Sequence, residues 1–224
     1  MTPRHIAKVP TLPARLLALH DIHTHRQADS SKALISLLPE DAEAYAAEHP
    51  GCLFSVGIHP WEMSVSTAEE ERRFAALEKA LRLEAASAVG ETGLDATRGP
   101  EIRLQLERFR RHIALSETLG LPLIIHLVKA QEQLLALRKE LRPEQPWIIH
   151  GFRGKAEQAR QLAAAGMYIS FGERFNPEAL AAVPDSQRLA ETDESQLPIH
   201  DIRTLHSKAL SAIQAGHPRE TSSM

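Results

Sequence analysis

The chain has 224 residues, 43% of them hydrophobic but only 4% aromatic, and a formal charge of −3. That length fits one domain with a core packed by aliphatic side chains, and the slightly acidic balance excludes the broad basic field of a nucleic-acid coating protein while leaving room for a local cationic patch. The lone cysteine, Cys52, excludes an intrachain disulfide and suits a reducing cytosol. Beside Leu53 and Phe54 it reads as a core residue. No run approaches the roughly 18 apolar residues of a membrane span, and Leu16-Leu17-Ala18-Leu19 is too short for a secretory signal. The expectation is a cytoplasmic protein with no membrane association and no obligate protein partner.

In chain order, apolar β-type runs fall at 17–23, 33–38, 53–59, 88–91, 121–127, 147–150, 167–171 and 188–192. Helical periodicity lies between them. Phe74, Leu77 and Leu81 share one helical face; so do Ile102, Leu106, Phe109 and Ile113, then Ala130, Leu134, Leu137 and Leu141. Ile202, Leu205, Ala209 and Ile213 give a last helix. Gly120 before Pro122 reads as a helix stop, and Asn176-Pro177 as a helix start. Eight strands interleaved with helices predict an α/β fold, a TIM-type (β/α)8 barrel over residues 1–215. A polar tail at 216–224, containing Pro218, is expected to fray.

Five of the apolar runs end on a histidine or an acid, the carboxyl ends at which a parallel barrel gathers its active site. Asp21, His23 and His25 recur at the strand period and so share a face, with Asp21 as a partner of the imidazoles or a third ligand. Glu91, His126, His150 and Asp193 follow later runs. Carboxylates gathered in a partly buried mouth repel and lose hydration, which cations offset. The set therefore reads as a metal centre formed by His23, His25, Glu91, His126, His150 and Asp193.

Two divalent ions are expected, magnesium, manganese or zinc. Four imidazoles suit zinc, manganese or iron better than magnesium. Glu91 has two oxygens with which to bridge the ions, and Asp193 can accept the proton of an attacking water, so these two are the catalytic candidates. His59 ends another strand and is a candidate for orienting substrate, with Trp61 beside it as a pocket wall. His5, His49, His112, His200, His206 and His217 read as solvated.

The motifs Asp21-Ile22-His23-Thr24-His25, Gly57-Ile58-His59-Pro60 and Val89-Gly90-Glu91-Thr92-Gly93-Leu94-Asp95 resemble the TatD family of metal-dependent deoxyribonucleases. So do Ile125-His126, His150-Gly151-Phe152-Arg153-Gly154, Ile169-Ser170-Phe171-Gly172 and Glu191-Thr192-Asp193, which continue in family order. The resemblance implies a TIM-type barrel, the six ligands above, and phosphodiester hydrolysis at DNA ends, specifically at the 3′ end of single strands. The family usually carries an arginine two residues after the strand-five histidine; here the position is Val128, followed by Lys129. Ala96 and Glu194-Ser195 also depart from the pattern, and the chain is shorter than most members. Lys129, Arg153, Lys155 or Arg98 could supply the missing phosphate contact, with Lys129 and Arg153 as the substrate-binding candidates.

Two other functions fit the same residues. A hydrolase of a small ester, lactone, amide or phosphate monoester would keep the metal and change the bond, since barrels of this type host many reactions. A non-catalytic metal-stabilised binding protein would be expected to have lost some of the six ligands. The partner is accordingly a DNA end or a small phosphate-containing substrate.

Overall fold

The computed structural model describes residues 8–26, 31–63 and 66–216. His5, His217 and the expected tail beyond Gly216 lie outside these residues. Among the described residues, eight parallel strands pair in sequential order: β1 (Asp21–Thr24), β2 (Ala33–Leu37), β3 (Leu53–Val56), β4 (Ala86–Asp95), β5 (Leu123–Val128), β6 (Trp147–Ile149), β7 (Tyr168–Phe171) and β8 (Arg188–Ala190). The helices are α1 (Ala14–Leu17), α2 (Ala42–Glu48), α3 (Thr67–Ala80), α4 (Ile102–Leu119), α5 (Gln131–Leu141), α6 (Ala156–Ala164), α7 (Pro177–Ala182) and α8 (Ile199–Gly216). None is long and apolar enough to cross a membrane. As expected, Gly120 closes α4 in a left-handed conformation and Asn176 caps α7, its side chain accepting from the Ala179 N–H at 3.0 Å.

Period-two alternation separates two apolar layers. Ala33, Ile35, Leu123, Ile125, Trp147, Ile149, Ile169 and Phe171 face outward to the helices, joining Phe74, Leu77, Phe109 and Leu134. Ile22, Leu34, Ala88, Ile124, Ile148 and Tyr168 fill the barrel interior. Cys52 is partly buried and packs on the outer layer, in keeping with a core role.

The first expected strand begins late. Leu16 and Leu17 belong to α1, and Leu12 and Leu16, each 2% exposed, pack against the interior cluster. Leu12 and Leu16 of this run plug the barrel at the end opposite the strands' carboxyl termini, whereas Leu17 is exposed. The Tyr168 hydroxyl donates to the Pro10 carbonyl at 3.0 Å and the Arg15 guanidinium to that of Ala86 at 3.3 Å, which ties the plug in place.

The seam between β8 and β1 closes by side chains more than by a ladder. An isolated bridge joins Thr24 to Asp193. Asp21 accepts from the Thr192 N–H at 2.9 Å and from its hydroxyl at 2.7 Å. Burial pushes the Asp21 carboxyl up to about 6, against those hydrogen bonds.

Two histidines expected at the surface are buried. His112, wholly enclosed, accepts from the Ile58 N–H at Nε2 and lies 2.9 Å from the Arg108 carbonyl at Nδ1, so both ring nitrogens of a neutral imidazole are satisfied. His206 holds α8 to the Gly172 carbonyl at 3.0 Å beside Phe175. Each lies on the buried face of its helix, His112 with Phe109 and Ile113 and His206 with Ile202, where a polar letter among apolar ones gives no sign of burial.

Truncating the plug with Leu16→Ala is expected to cost about 2–5 kcal/mol, read as a lowered urea midpoint with unchanged slope. Burial also lowers the His112 imidazole from 6.5 to about 4. A depressed pKa favours the neutral form in the fold, so this stabilisation is complete above pH 6.5 and is lost as pH falls through 4, up to ~3 kcal/mol. The stability difference between the protein and His112→Gln should therefore shrink between pH 7.5 and 4. A constant difference would remove His112 as the titrating group.

Candidate metal centre

Six side chains singled out as ligands meet at the carboxyl end of the barrel, and the strands deliver them in two ways. Ile124 and Ile148 point inward, so plain alternation also turns His126 and His150 inward. Glu91 and His23 break that pattern. Ala88 and Ile22 already face the interior, and alternation would send both ligands outward. Register shifts between Val89 and Thr92 in β4, and between Asp21 and Thr24 in β1, bring them back into the mouth. Close backbone approach accompanies the shift: Gly90 and Gly93 have φ of +137° and +144°, and a Cβ at either would collide with the β5 backbone at Ile124 or His126.

Glu91, 7% exposed, is the centre of the cluster. Its Oε1 lies 3.0 Å from His126 Nδ1, 2.7 Å from His150 Nε2 and 3.0 Å from His59 Nε2. Its Oε2 faces His25 Nε2 at 3.4 Å and His23 Nε2 at 3.5 Å. Asp193 Oδ1 completes that side, 3.6 Å from His25 Nε2 and 3.8 Å from His23 Nε2. The two carboxylate oxygens thus look toward two different imidazole groups.

Burial works to raise the Glu91 pKa, but the imidazoles of His150, His126 and His23 outweigh it and hold the carboxyl well below its usual range. His150 is the converse: burial opposes its charge, and Glu91 with Glu191 push it well above 6.5. His23 is lowered by burial and by the neighbouring His150. His25, more exposed, is raised chiefly by Glu91.

The donor set fits a divalent cation. Both ring nitrogens of His23 are buried without a hydrogen-bond partner, and leaving such groups unsatisfied costs roughly 1–3 kcal/mol each. His23–His25–Glu91, His23–His150–Asp193 and His59–Glu91–His126 each bring three potential ligand atoms within 4.8 Å of one another. His59 differs from the others. Its Nδ1 accepts from the Trp61 N–H at 3.2 Å, so a neutral ring carries its proton on Nε2 and donates it to Glu91.

Around this centre lies a cleft of about 1250 Å³, lined by His59, Trp61, Lys129 and Arg153 among others. Of the basic residues considered for phosphate, Lys129 and Arg153 line the cleft. Arg98 stacks instead on the Trp61 ring, its guanidinium carbon 3.7 Å from the centroid. Asp21 faces Thr192 in the barrel seam, a neighbour of the ligands. Two acids given no role from sequence also stand here. Glu191, fully buried, accepts from the Gly151 N–H at 2.5 Å and lies 3.7 Å from His150 Nδ1; Asp95 contacts His126. Both sit inside motifs, Glu191-Thr192-Asp193 and Gly93-Leu94-Asp95, whose density of acids was the available signal.

The comparisons with known proteins agree with this geometry. A family profile described as TatD-related DNase matches residues 22–211. The chain is 30% identical over 173 residues to a protein of Cronobacter sakazakii named 3′-5′ ssDNA/RNA exonuclease TatD, an alignment covering 73% of this chain and 65% of the relative. It is 33% identical over 159 residues, 66% of this chain and 61% of the relative, to an uncharacterized metal-dependent hydrolase of Bacillus subtilis, YabD. The chain thus spans less than two thirds of the length of these curated relatives. Its fold is similar to that of the TatD homologue YjjV of Escherichia coli K12, with a TM-score of 0.65 at 19% identity, covering 89% of this chain and 97% of that one. The match over residues 22–211, most of the barrel, makes this protein a member of the TatD-related DNase family.

Proposed function

We propose that the protein is a metal-dependent phosphodiesterase that removes nucleotides from the 3′ end of single-stranded DNA. In this reading His23, His25, Glu91, His126, His150 and Asp193 would hold two divalent ions, to which Glu91 could offer both of its oxygens. The observation that carries the reading is His23, fully enclosed, with both nitrogens unpartnered beside two carboxylates. Imidazole-rich coordination favours zinc or manganese over magnesium. A cytoplasmic location belongs to the same reading and rests on the single cysteine and the lack of a membrane-spanning helix among the described residues.

When bound, divalent ions lower the pKa of a coordinated water toward 7 and offset charge on phosphoryl oxygens. The remaining work falls to the chain. Asp193, 22% exposed, is the carboxylate with access to solvent and accepts the proton of the attacking water. Glu91 stays ionised because its imidazole neighbours hold its pKa down. Lys129 and Arg153 at the cleft wall pair with the phosphate, taking the place of the arginine replaced by Val128. His59 holds an N–H at the mouth. The cleft exceeds the ~300–1,000 Å³ typical of small-molecule sites, which favours a nucleic-acid end over a small ester.

The test is a 5′-labelled single-stranded oligonucleotide incubated with protein loaded with Mg²⁺, Mn²⁺ or Zn²⁺. Progressive shortening from the 3′ end is expected, abolished by a chelator and restored by metal. Asp193→Asn should keep the fold and cut turnover by roughly 10²–10⁴-fold. No digestion with any ion would overturn the nuclease reading, and full activity in Asp193→Asn would remove that residue from proton transfer.

A further inference from the structure

Asp95 is 3% exposed at the end of β4 and forms no part of the metal-holding groups, yet four donors and one imidazole nitrogen converge on it. Oδ1 accepts from the Thr97 N–H at 2.8 Å, the Thr97 hydroxyl at 2.6 Å and the Arg98 N–H at 3.2 Å. Oδ2 accepts from the Trp61 indole N–H at 2.8 Å and faces His126 Nε2 at 3.3 Å. The first three bonds fix the carboxylate, so Oδ2 cannot turn away from the imidazole.

We infer that Asp95 is a positioning residue of the metal centre. It accepts the Nε2 proton of His126, selects that tautomer and so presents the Nδ1 lone pair to the Glu91 side of the cluster. The reasoning is one of donors and acceptors. Were Nε2 unprotonated, its lone pair would face a carboxylate lone pair at 3.3 Å with no hydrogen between them, an unfavourable contact in a buried site. With the proton on Nε2, Nδ1 of the neutral ring is free to ligate. It lies 3.0 Å from Glu91 Oε1, where both groups can share one cation. A carboxylate behind a ligating histidine is a recurrent device for fixing ring orientation and raising ligand basicity. Here the same oxygen also holds Trp61, so the wall of the cleft and a ligand are tied to one atom.

Asp95→Asn alters both Oδ2 contacts, and Trp61→Phe, which removes only the indole bond, separates them. An asparagine carbonyl can still serve Thr97 and Arg98, but its NH₂ then points at His126 and requires Nε2 to accept, reversing the tautomer. Trp61→Phe removes the indole bond and leaves the Asp95–His126 pair. Zinc or manganese affinity of the metal-free protein, measured calorimetrically, is expected to fall about 10–100-fold in Asp95→Asn and to stay within about twofold in Trp61→Phe. Nitrogen-15 spectra of histidine-labelled, zinc-loaded protein, assigned by loss of a signal in His126→Gln, should show His126 protonated at Nε2.

Unchanged affinity in Asp95→Asn, or a His126 protonated at Nδ1, overturns the inference. The spectrum of the unmutated protein decides it even if Asp95→Asn fails to fold. The inference rests on the metal centre proposed above, and the outcomes separate: no metal binding by the unmutated protein sinks both, whereas tight binding indifferent to Asp95 sinks this one alone.

Discussion

The structure turns on a carboxylate that should be costly to bury. Glu91 is almost enclosed, yet it stays ionised because imidazoles from four other strands or their exits converge on its two oxygens. Removing the charge from water is tolerable only if compensating groups arrive from all of those directions at once. That requirement explains why the imidazoles around Glu91 come from several strands, and why the cluster cannot assemble until the barrel closes. It also links stability to chemistry, since a cation that pairs with the ionised Glu91 stabilises the closed barrel, whereas a proton on Glu91 itself works against it.

Closure is therefore a functional matter. The last strand, β8, has three residues, and the seam to β1 depends on Asp21 bonding the Thr192 backbone and hydroxyl. The same short segments carry His23 and Asp193, whose main chains are directly bonded, with Asp193 N–H donating to the His23 carbonyl at 2.9 Å. An acid whose role is to lock the seam thereby sets the distance between two ligands. The opposite end is closed by a different device, the aliphatic plug of Leu12 and Leu16. This division keeps apolar packing at one rim and charge at the other, as in barrels whose stability and activity occupy opposite faces.

Much of this was legible in the sequence, because a ligand-type side chain after an apolar run is a strong signal when it recurs. The eight strands, their order and the meeting of His126 with His150 follow from period-two alternation and carboxyl-end placement. Glu91 and His23 were found by residue type and by motif, since strict alternation would have put them outside; the register shifts that turn them inward leave no mark on hydrophobic periodicity. The segment before Asp21 misled for a related reason. A run of leucines that plugs a barrel from below looks the same as one that builds a strand, since both are apolar and short. His112 and His206 were misread because a single buried imidazole satisfied by backbone groups has no pattern beyond its own letter.

The absence of the family arginine at Val128 bears on how a substrate can lie. The cleft carries Lys129 and Arg153 near the exits of β5 and β6, with Glu132 also following β5, while Glu62 and Glu194 line it after β3 and β8. In the proposed reaction a polyanion laid across the whole opening would meet Glu62 and Glu194 as well as the cations, so its terminal phosphates would lie toward Lys129 and Arg153. An exposed lysine and arginine give less geometric definition than a buried bidentate guanidinium. Recognition in the proposed reaction then depends more on the ions and on the wall of His59 and Trp61, the latter held by Asp95. In the proposed reaction such a site should tolerate varied bases while remaining strict about its metal ligands, because His23, Glu91 and His126 lie within strands whereas Lys129 and Arg153 follow them.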